Sequence, residues 1–351
     1  MFQSPIHIGI DISDTSLKGV VLVIKNGHIH LTSHQTRSIP ANIIEQGSIK
    51  NTSQLQKEII ELVKSLQDGK LQEHLITIPL PEPKTYLTLL PMPAQETSIA
   101  DYLRAELPNH IPLSQEELAM DWQQVSIANK ENQLLVATTD IKTIAEYTQL
   151  FQNSLLLPRA FEIESVAIQR AIFPIQPIPA KNTNLCCVVD LGQNRSGISL
   201  SQAGIPVLSV SVPFSGNHIT ELIAKELNLT AEQAEKAKQA CGITPDKANG
   251  AIKKILGTML DDLIHRLQET KTFFANHSGI TEPWSRILLV GGGALLPGVD
   301  TYIQERAHIT TTQANPLLNI TPSDNLTQAE ALVYTTAIGL ALRGTLEQTG
   351  S

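Results

Sequence analysis

Asp11 and Asp190 each end an apolar run and open a short polar loop. The first loop, through Lys18, offers a carboxylate, the hydroxyls of Ser13, Thr15 and Ser16, and an ammonium group. The second, through Ser196, offers a carboxylate, Gly192 and further polar side chains. A third segment, Gly291-Gly292-Gly293, has no side chains to obstruct a flat ring. Phosphate is held by backbone N–H groups in tight turns, helped by hydroxyls. Magnesium takes one or two carboxylates together with waters and phosphate oxygens. A ribose or base needs a surface it can approach closely, which glycine provides. Singly each loop is ordinary, since an aspartate at a strand end is often a cap and a triple glycine often a turn. Together, in this order, they point to Mg–ATP held between two domains.

The elements that must position these loops occur twice. IHIGIDISDTSLKGVVLVIKNGHIHL reads as strand, acidic loop, strand, turn and strand, and LCCVVDLGQNRSGISLSQAGIPVLSV repeats that sentence. The interval from Asp11 to Asp190 nearly equals that from Gly27 to Gly204, so one architecture is built twice. In the first half, 6–12, 18–24 and 28–32 are expected as strands, the last after the Asn26-Gly27 turn. His28 and His30 share a strand face as a metal pair would, but with no third ligand nearby they read as exposed edge residues. Leu55, Ile59, Leu62, Val63 and Leu66 have helical spacing over 52–67, and 74–80 is again strand. From Pro79 a proline-rich stretch reads as a linker into a small module. Its expected order is strand 84–90, helix 95–107, strands 118–126 and 132–139, and helix 141–153. A strand at 159–163 and a helix at 164–173 follow, with 174–179 as the hinge between halves. The second half continues with helices at 217–227, 230–241 and 250–276, a strand at 286–290 running into the triple glycine, and a closing helix at 328–342.

Composition narrows the function. The 351 residues suffice for two or more domains, and 42% hydrophobic content is ordinary for a globular chain. Twenty-six basic and 34 acidic residues give a net charge of −8 without any basic block, which argues against a nucleic-acid surface. The three cysteines lack metal-ligand spacing and read as reduced, buried hydrophobes. With no leader and no apolar run of spanning length, a cytosolic protein is expected, reaching a membrane only through partners.

The order of two aspartate loops and a triple glycine resembles the actin/Hsp70/sugar-kinase superfamily. The implied fold class is α/β, a duplicated actin-like ATPase fold with a small α/β module inserted in the first half, as in the cell-division protein FtsA. The stretches GIDISDTSLKGV, RAELPNHIPLSQEEL, VVDLGQNRSGISL, ITELIAKELNLTAEQAEKAKQACG, LLVGGGALLPGV and AIGLALRG are similar to the PilM family of type IV pilus assembly proteins. They span Gly9 to Gly344. The resemblance implies domain 1A at 1–81, 156–180 and 328–351, the inserted 1C module at 82–155, domain 2A at 181–215 and 258–327, and subdomain 2B at 216–257. It implies ATP and Mg as cofactors, with Asp11 and Asp190 orienting magnesium through water. Ser13, Thr15, Ser16 and Lys18 would face the phosphates from one side, and Gly192 and Ser196 from the other. Gly291, Gly292 and Gly293 would line the adenosine, and Glu235 and Lys238 would close over ribose and base. The implied partners are the N-terminal cytoplasmic tail of the inner-membrane protein PilN, in a groove beside the 82–155 module, and other inner-membrane and motor components of the pilus machine.

The chain also departs from that pattern. Ser13 stands where the family usually has glycine, and Asp14 follows it. A carboxylate aimed at a phosphate from ~4 Å costs about 1 kcal/mol if solvated and about 4 at intermediate dielectric, so Asp14 either points away or weakens binding. Gln193-Asn194-Arg195 replaces smaller residues, with Arg195 able to contact a phosphate, and the usual acidic-then-basic pair is not clean around Arg266–Glu269. For an attacking water the chain nominates only Glu164, whose other reading is a helix-entry carboxylate. No Gly-x-Ser-x-Gly supports Ser196 or Ser215 as a nucleophile, and His218 and His265 read as structural. The alternatives are a small-molecule kinase of the same superfamily, which needs a substrate-binding loop and base not found here, and an FtsA-like or GspL-like scaffold with a degenerate site.

Overall fold

A computed structural model describes residues 7–69, 73–93, 97–127, 130–175, 184–244, 247, 250–278, 280–322 and 325–347. The first apolar run forms β1 (His7–Ile12), buried along its whole length. It continues into β2 (Ser16–Lys25) and β3 (His28–Ser38) as an antiparallel meander. Asn26 and Gly27 both have positive φ, 53° and 78°, the backbone that a tight two-residue hairpin turn demands. β3 runs beyond the expected end at residue 32 because it is a sheet edge whose outer residues face solvent, so no apolar alternation marks its second half. A hairpin of β4 (Ile44–Glu45) and β5 (Ser48–Ile49), too short to show a sequence period, precedes α1 (Thr52–Leu66). Asn51 caps α1 by accepting from the Gln54 N–H, and the helix buries Leu55, Ile59, Leu62, Val63 and Leu66. β6 (His74–Leu80) then joins β1 in parallel.

The proline-rich stretch read as a linker reduces to one 3-10 turn at Glu82–Lys84. The inserted module follows as β7 (Thr85–Pro91), α2 (Ile99–Glu106), β8 (Leu118–Ile127), β9 (Lys130–Asp140) and α3 (Ile141–Gln149). Its sheet has the order β7-β9-β8, which leaves Pro91 on an edge strand where its missing N–H costs little. One face packs Leu90, Leu134 and Val136 against Leu103, Leu107 and Ile111. The other face sends Leu87, Val125, Ile127 and Leu135 into the large core of the molecule, so the module is fixed to the body. β10 (Leu156–Ile163) returns to the first sheet alongside β6, its register broken between Pro158 and Ala160 at the sheet edge. α4 (Glu164–Ile172) follows directly, and the 174–179 segment read as a hinge lies mostly outside the described residues.

The second half builds β11 (Leu185–Leu191), β12 (Ser196–Gln202), β13 (Ile205–Val212), α5 (Gly216–Leu227), α6 (Ala231–Cys241), α7 (Ala251–Ser278) and β14 (Trp284–Val290). After these come α8 (Val299–Ala307), β15 (Thr311–Gln313), α9 (Gln328–Ala331) and α10 (Thr335–Glu347). The sheet order β13-β12-β11-β14-β15 repeats β3-β2-β1-β6-β10 strand for strand, including the parallel pairs. α8 and β15 add elements that the sequence reading lacked. The closing helix, expected to be continuous, is broken by a 3-10 turn at Leu332–Tyr334. α10 crosses the first sheet and packs on α4 so closely that a Cβ on Gly339 would lie 1.8 Å from the Ala167 carbonyl. The same pair of helices is tied by buried Glu162, which accepts from Arg170 twice at 2.6 Å and from Arg343 at 3.1 Å. Among the described residues no helix is long and apolar enough to cross a membrane.

Candidate functional site

Strand register sets the two acids in place. In the first hairpin Asp11 lies directly opposite Lys18, whose Nζ donates to Asp11 Oδ2 at 3.0 Å. In the second, Asp190 lies opposite Gly197. Both carboxylates line one cavity of about 460 Å³ between the halves, a size suited to a small-molecule ligand. Ser13, Thr15, Ser16, Lys18 and Gly192 also line it, as do Glu235, Lys238 and all three glycines at 291–293.

Ser196 is the exception. Asp190 pairs with Gly197 and Leu191 with Ser196, so Ser196 projects to the face opposite the acid. Its buried hydroxyl donates to the Phe214 carbonyl at 2.9 Å and accepts from the Gly192 N–H at 3.3 Å, bracing the second loop from behind. Ser13 does comparable work in the first loop, donating to the Ser16 carbonyl and accepting from the Ser16 N–H. Asp14 turns out of the phosphate position. It accepts from the Gln46 and Gly47 N–H groups at 3.0 and 3.1 Å, and from Arg195 Nη2 at 3.2 Å across the cleft. A second link across the cleft is Thr15 Oγ1 donating to Gln193 Oε1 at 2.9 Å.

The triple glycine divides its work. Gly291 has φ +79° and ψ 172°, a region open to glycine alone, and a Cβ there would sit 2.2 Å from Asp190 Oδ1. A Cβ on Gly293 would meet Leu191 Cβ at 2.6 Å, whereas one on Gly292 would meet nothing within 4 Å. Gly291 and Gly293 therefore let the loop close on β11, and Gly292 leaves open surface to a ligand. The break in the closing helix belongs to this ledge: the Gly291 N–H donates to the Leu332 carbonyl at 3.0 Å, and Thr335 and Thr336 reach the cavity. Opposite, α6 presents Glu235 and Lys238, paired at 2.7 Å. Lys238 Nζ also donates to the Gly216 carbonyl at 2.9 Å and to Thr220 Oγ1 at 2.8 Å, fixing α6 to the start of α5.

Glu82, read as part of a linker, completes the acidic lining. Its carboxylate lies over Gly197, where a Cβ would come within 2.7 Å of Oε1, and it accepts from Ser209 Oγ at 3.3 Å. Burial and then the Asp190 charge push Glu82 up to about 8. Burial raises Asp190 to about 6, against the pull of Lys18. Glu164, the first residue of α4, is held well above the carboxylate range by burial and by Glu82, Asp11 and Asp190. Burial alone would lower Lys18, but Asp11, Asp190 and Glu164 outweigh it and keep the ammonium charged. The cluster thus combines a cation with proton-retaining acids, and a polyanion can approach it without meeting a full set of negative charges. Among the described residues no group of three His, Cys, Asp or Glu side chains could hold a metal ion directly. A magnesium ion would fit with one or two of these carboxylates, its remaining positions taken by water and phosphate oxygens.

The match to known proteins follows this geometry. A model of the type IV pilus assembly protein PilM family matches residues 9–345. The chain belongs to the PilM family. Among solved structures it is similar to the PilM-PilN type IV pilus biogenesis complex, with a TM-score of 0.77 at 21% identity over 97% of this chain and 98% of that one. It is also similar to the ethanolamine utilization protein EutJ from Carboxydothermus hydrogenoformans, with a TM-score of 0.56 at 14% identity over 97% and 90%. MreB5 of Spiroplasma citri bound to ADP matches with a TM-score of 0.54 at 12% identity over 99% of both chains. The fold is therefore the duplicated actin-like one expected from the paired hairpins, with a small module inserted in its first half.

Proposed function

We propose that this PilM-family chain is an ATP-binding adaptor of the type IV pilus assembly machine, docking on the cytoplasmic tail of PilN and coupling nucleotide state to pilus assembly. The observation that carries the nucleotide reading is the convergence of Asp11, Asp190 and the glycine ledge on one cavity. Asp11 and Asp190 would hold the water shell of magnesium, which supplies charge neutralisation for the phosphates. Thr15, Ser16 and Lys18 would meet the phosphates from the first loop, and the Gly192 turn from the second. Ser13 and Ser196 would act indirectly by holding those two turns in shape. Gly292 would lie against the adenosine, with Glu235 and Lys238 closing over ribose and base. Glu164, kept protonated by burial and by its acidic neighbours, is a poor base for water, so slow or absent turnover is the expectation. The PilN reading rests on family membership and on the likeness to the PilM-PilN complex, with the groove beside the 82–155 module as the docking place. Other inner-membrane and motor components would join through this assembly, placing the protein at the cytoplasmic face of the inner membrane.

Calorimetry with Mg-ATP tests the cavity. Wild type should bind, Asp11→Ala and Asp190→Ala should not, and omitting magnesium should weaken wild type. Unchanged affinity in both variants would remove the nucleotide from this reading. Docking is tested separately, with a synthetic N-terminal PilN peptide titrated into the full chain; absence of binding would remove the adaptor role.

A further inference from the structure

Arg195 stands on the second loop facing the first, and three features of its setting bear on which nucleotide the cavity takes. The first is its partner. Arg195 Nη2 donates to Asp14 Oδ2 at 3.2 Å, but the Asp14 carboxylate also accepts two backbone N–H groups, from Gln46 and Gly47. Asp14 therefore stays hydrogen-bonded if the guanidinium leaves. The second is the commitment of the other cations lining the cavity. Lys18 is paired with Asp11, while Lys238 is held by Gly216, Thr220 and Glu235 of its own lobe. The third is location. Arg195 acts on the charges of Glu82 and Glu164, whereas the groups that set Glu235 are Lys238, Thr220 and Gln239. The guanidinium thus belongs to the acidic end of the cavity, apart from the Glu235–Lys238 clamp.

We infer that Arg195 makes the cavity selective for a nucleoside triphosphate over the diphosphate, by exchanging Asp14 for the terminal phosphate. This rests on the nucleotide reading above and deepens it. The exchange moves no proton and breaks no covalent bond. Arginine presents a planar fork that meets two phosphate oxygens at once, a stronger pairing than its single contact with the half-buried Asp14 carboxylate. The acidic end already holds Asp11, Asp14, Glu82, Glu164 and Asp190, so an added phosphate there needs a mobile cation beside it. A diphosphate lacks the group to compete, and Arg195 would stay on Asp14. The Thr15–Gln193 contact keeps the two loops linked while the arginine moves.

The test is calorimetry on the full chain with magnesium, comparing ADP with a non-hydrolysable ATP analogue. Arg195→Ala should weaken the triphosphate by about tenfold or more and the diphosphate by less than about twofold. Arg195→Lys, which keeps the charge and loses the fork, should fall between. Asp14→Asn, which releases the guanidinium, should tighten the triphosphate severalfold and leave the diphosphate unchanged. Equal weakening of both nucleotides in Arg195→Ala, an unchanged ratio, or a weaker triphosphate in Asp14→Asn would each overturn the inference while leaving the cavity a nucleotide site. Failure of wild type to bind either nucleotide would instead overturn the reading of the cavity, and this inference with it.

Discussion

The hairpin that carries Asp11 and the hairpin that carries Asp190 share a register, yet what faces the acid differs. Asp11 meets a lysine on the neighbouring strand and is neutralised within its own hairpin. Asp190 meets a glycine, and the space above that glycine is taken by the Glu82 carboxylate from the foot of the inserted module. One acid therefore has a cation 3.0 Å away, and the other is pushed up to about 6 by burial. The two backbones match, and the different residues at the matched positions 18 and 197 separate the chemistry. The first hairpin supplies an ion pair, and the second a site where burial makes charge costly.

Removing the lysine breaks this contrast most severely. Lys18→Met leaves Asp11 without a cation beside Asp190 and Glu164, with little solvent to screen it. Breaking one side of such a pair should cost about 3 kcal/mol, read from the midpoint of urea unfolding at neutral pH. The double variant Lys18→Met/Asp11→Asn should recover more than half of the loss, because the stranded charge is gone. A single variant as stable as wild type would mean that the two hairpins are electrostatically alike.

Glu82→Gln sharpens the other side. The folded state holds Glu82 up to about 8 against an ordinary 4.5, so folding favours its protonated form. That contribution is whole below pH 4.5 and is lost as pH rises through about 8. A glutamine cannot ionise and loses nothing. Without nucleotide or divalent ions, the variant should match wild type near pH 4.5 and exceed it by on the order of 2 kcal/mol at pH 9, allowing for partial exposure of the site. Parallel stability curves would show that Glu82 is not held over Gly197 as a proton-retaining acid.

Much of this asymmetry could be read from the chain, and the part that could not has physical reasons. The repeat was legible because both hairpins are buried on their central strand, which imposes unbroken apolar runs, and because Asn26-Gly27 and Gly204 mark tight turns. The Gly-Gly-Gly ledge was legible because only glycine allows the approach of that loop to Asp190 and Leu191. Glu82 was hidden between Pro81 and Pro83, where proline density suggests a linker and gives no sign that a carboxylate turns inward. Thr335 and Thr336 were hidden by the apolar period of the closing helix, although the β-branched Val333, Thr335 and Thr336 past Leu332 weaken the helix there. Ser196 was misplaced for a simpler reason. Strand side chains alternate, and a residue paired with Leu191 cannot share a face with Asp190.

That alternation yields the smallest and most local test of the two hairpins. Each acidic loop is braced by one serine hydroxyl, but the braces sit at opposite ends. Ser13 opens the first loop and bonds only to Ser16, in a half-buried position that water can reach. Ser196 closes the second loop, is buried, and spans from the Gly192 N–H to the Phe214 carbonyl, joining the loop to the segment that leads into α5. Deleting a buried hydroxyl strands both of its partners, whereas water can replace an accessible one. Ser196→Ala should therefore cost about 1.5 kcal/mol in thermal or urea unfolding, and Ser13→Ala about 0.5. Because neither hydroxyl is needed to meet a ligand, calorimetry of Ser196→Ala with Mg-ATP should show at most about a threefold loss. A loss as large as that of Asp190→Ala, with stability unchanged, would put the Ser196 side chain back on the cavity side of the strand and undo the register argument on which the contrast between the hairpins stands.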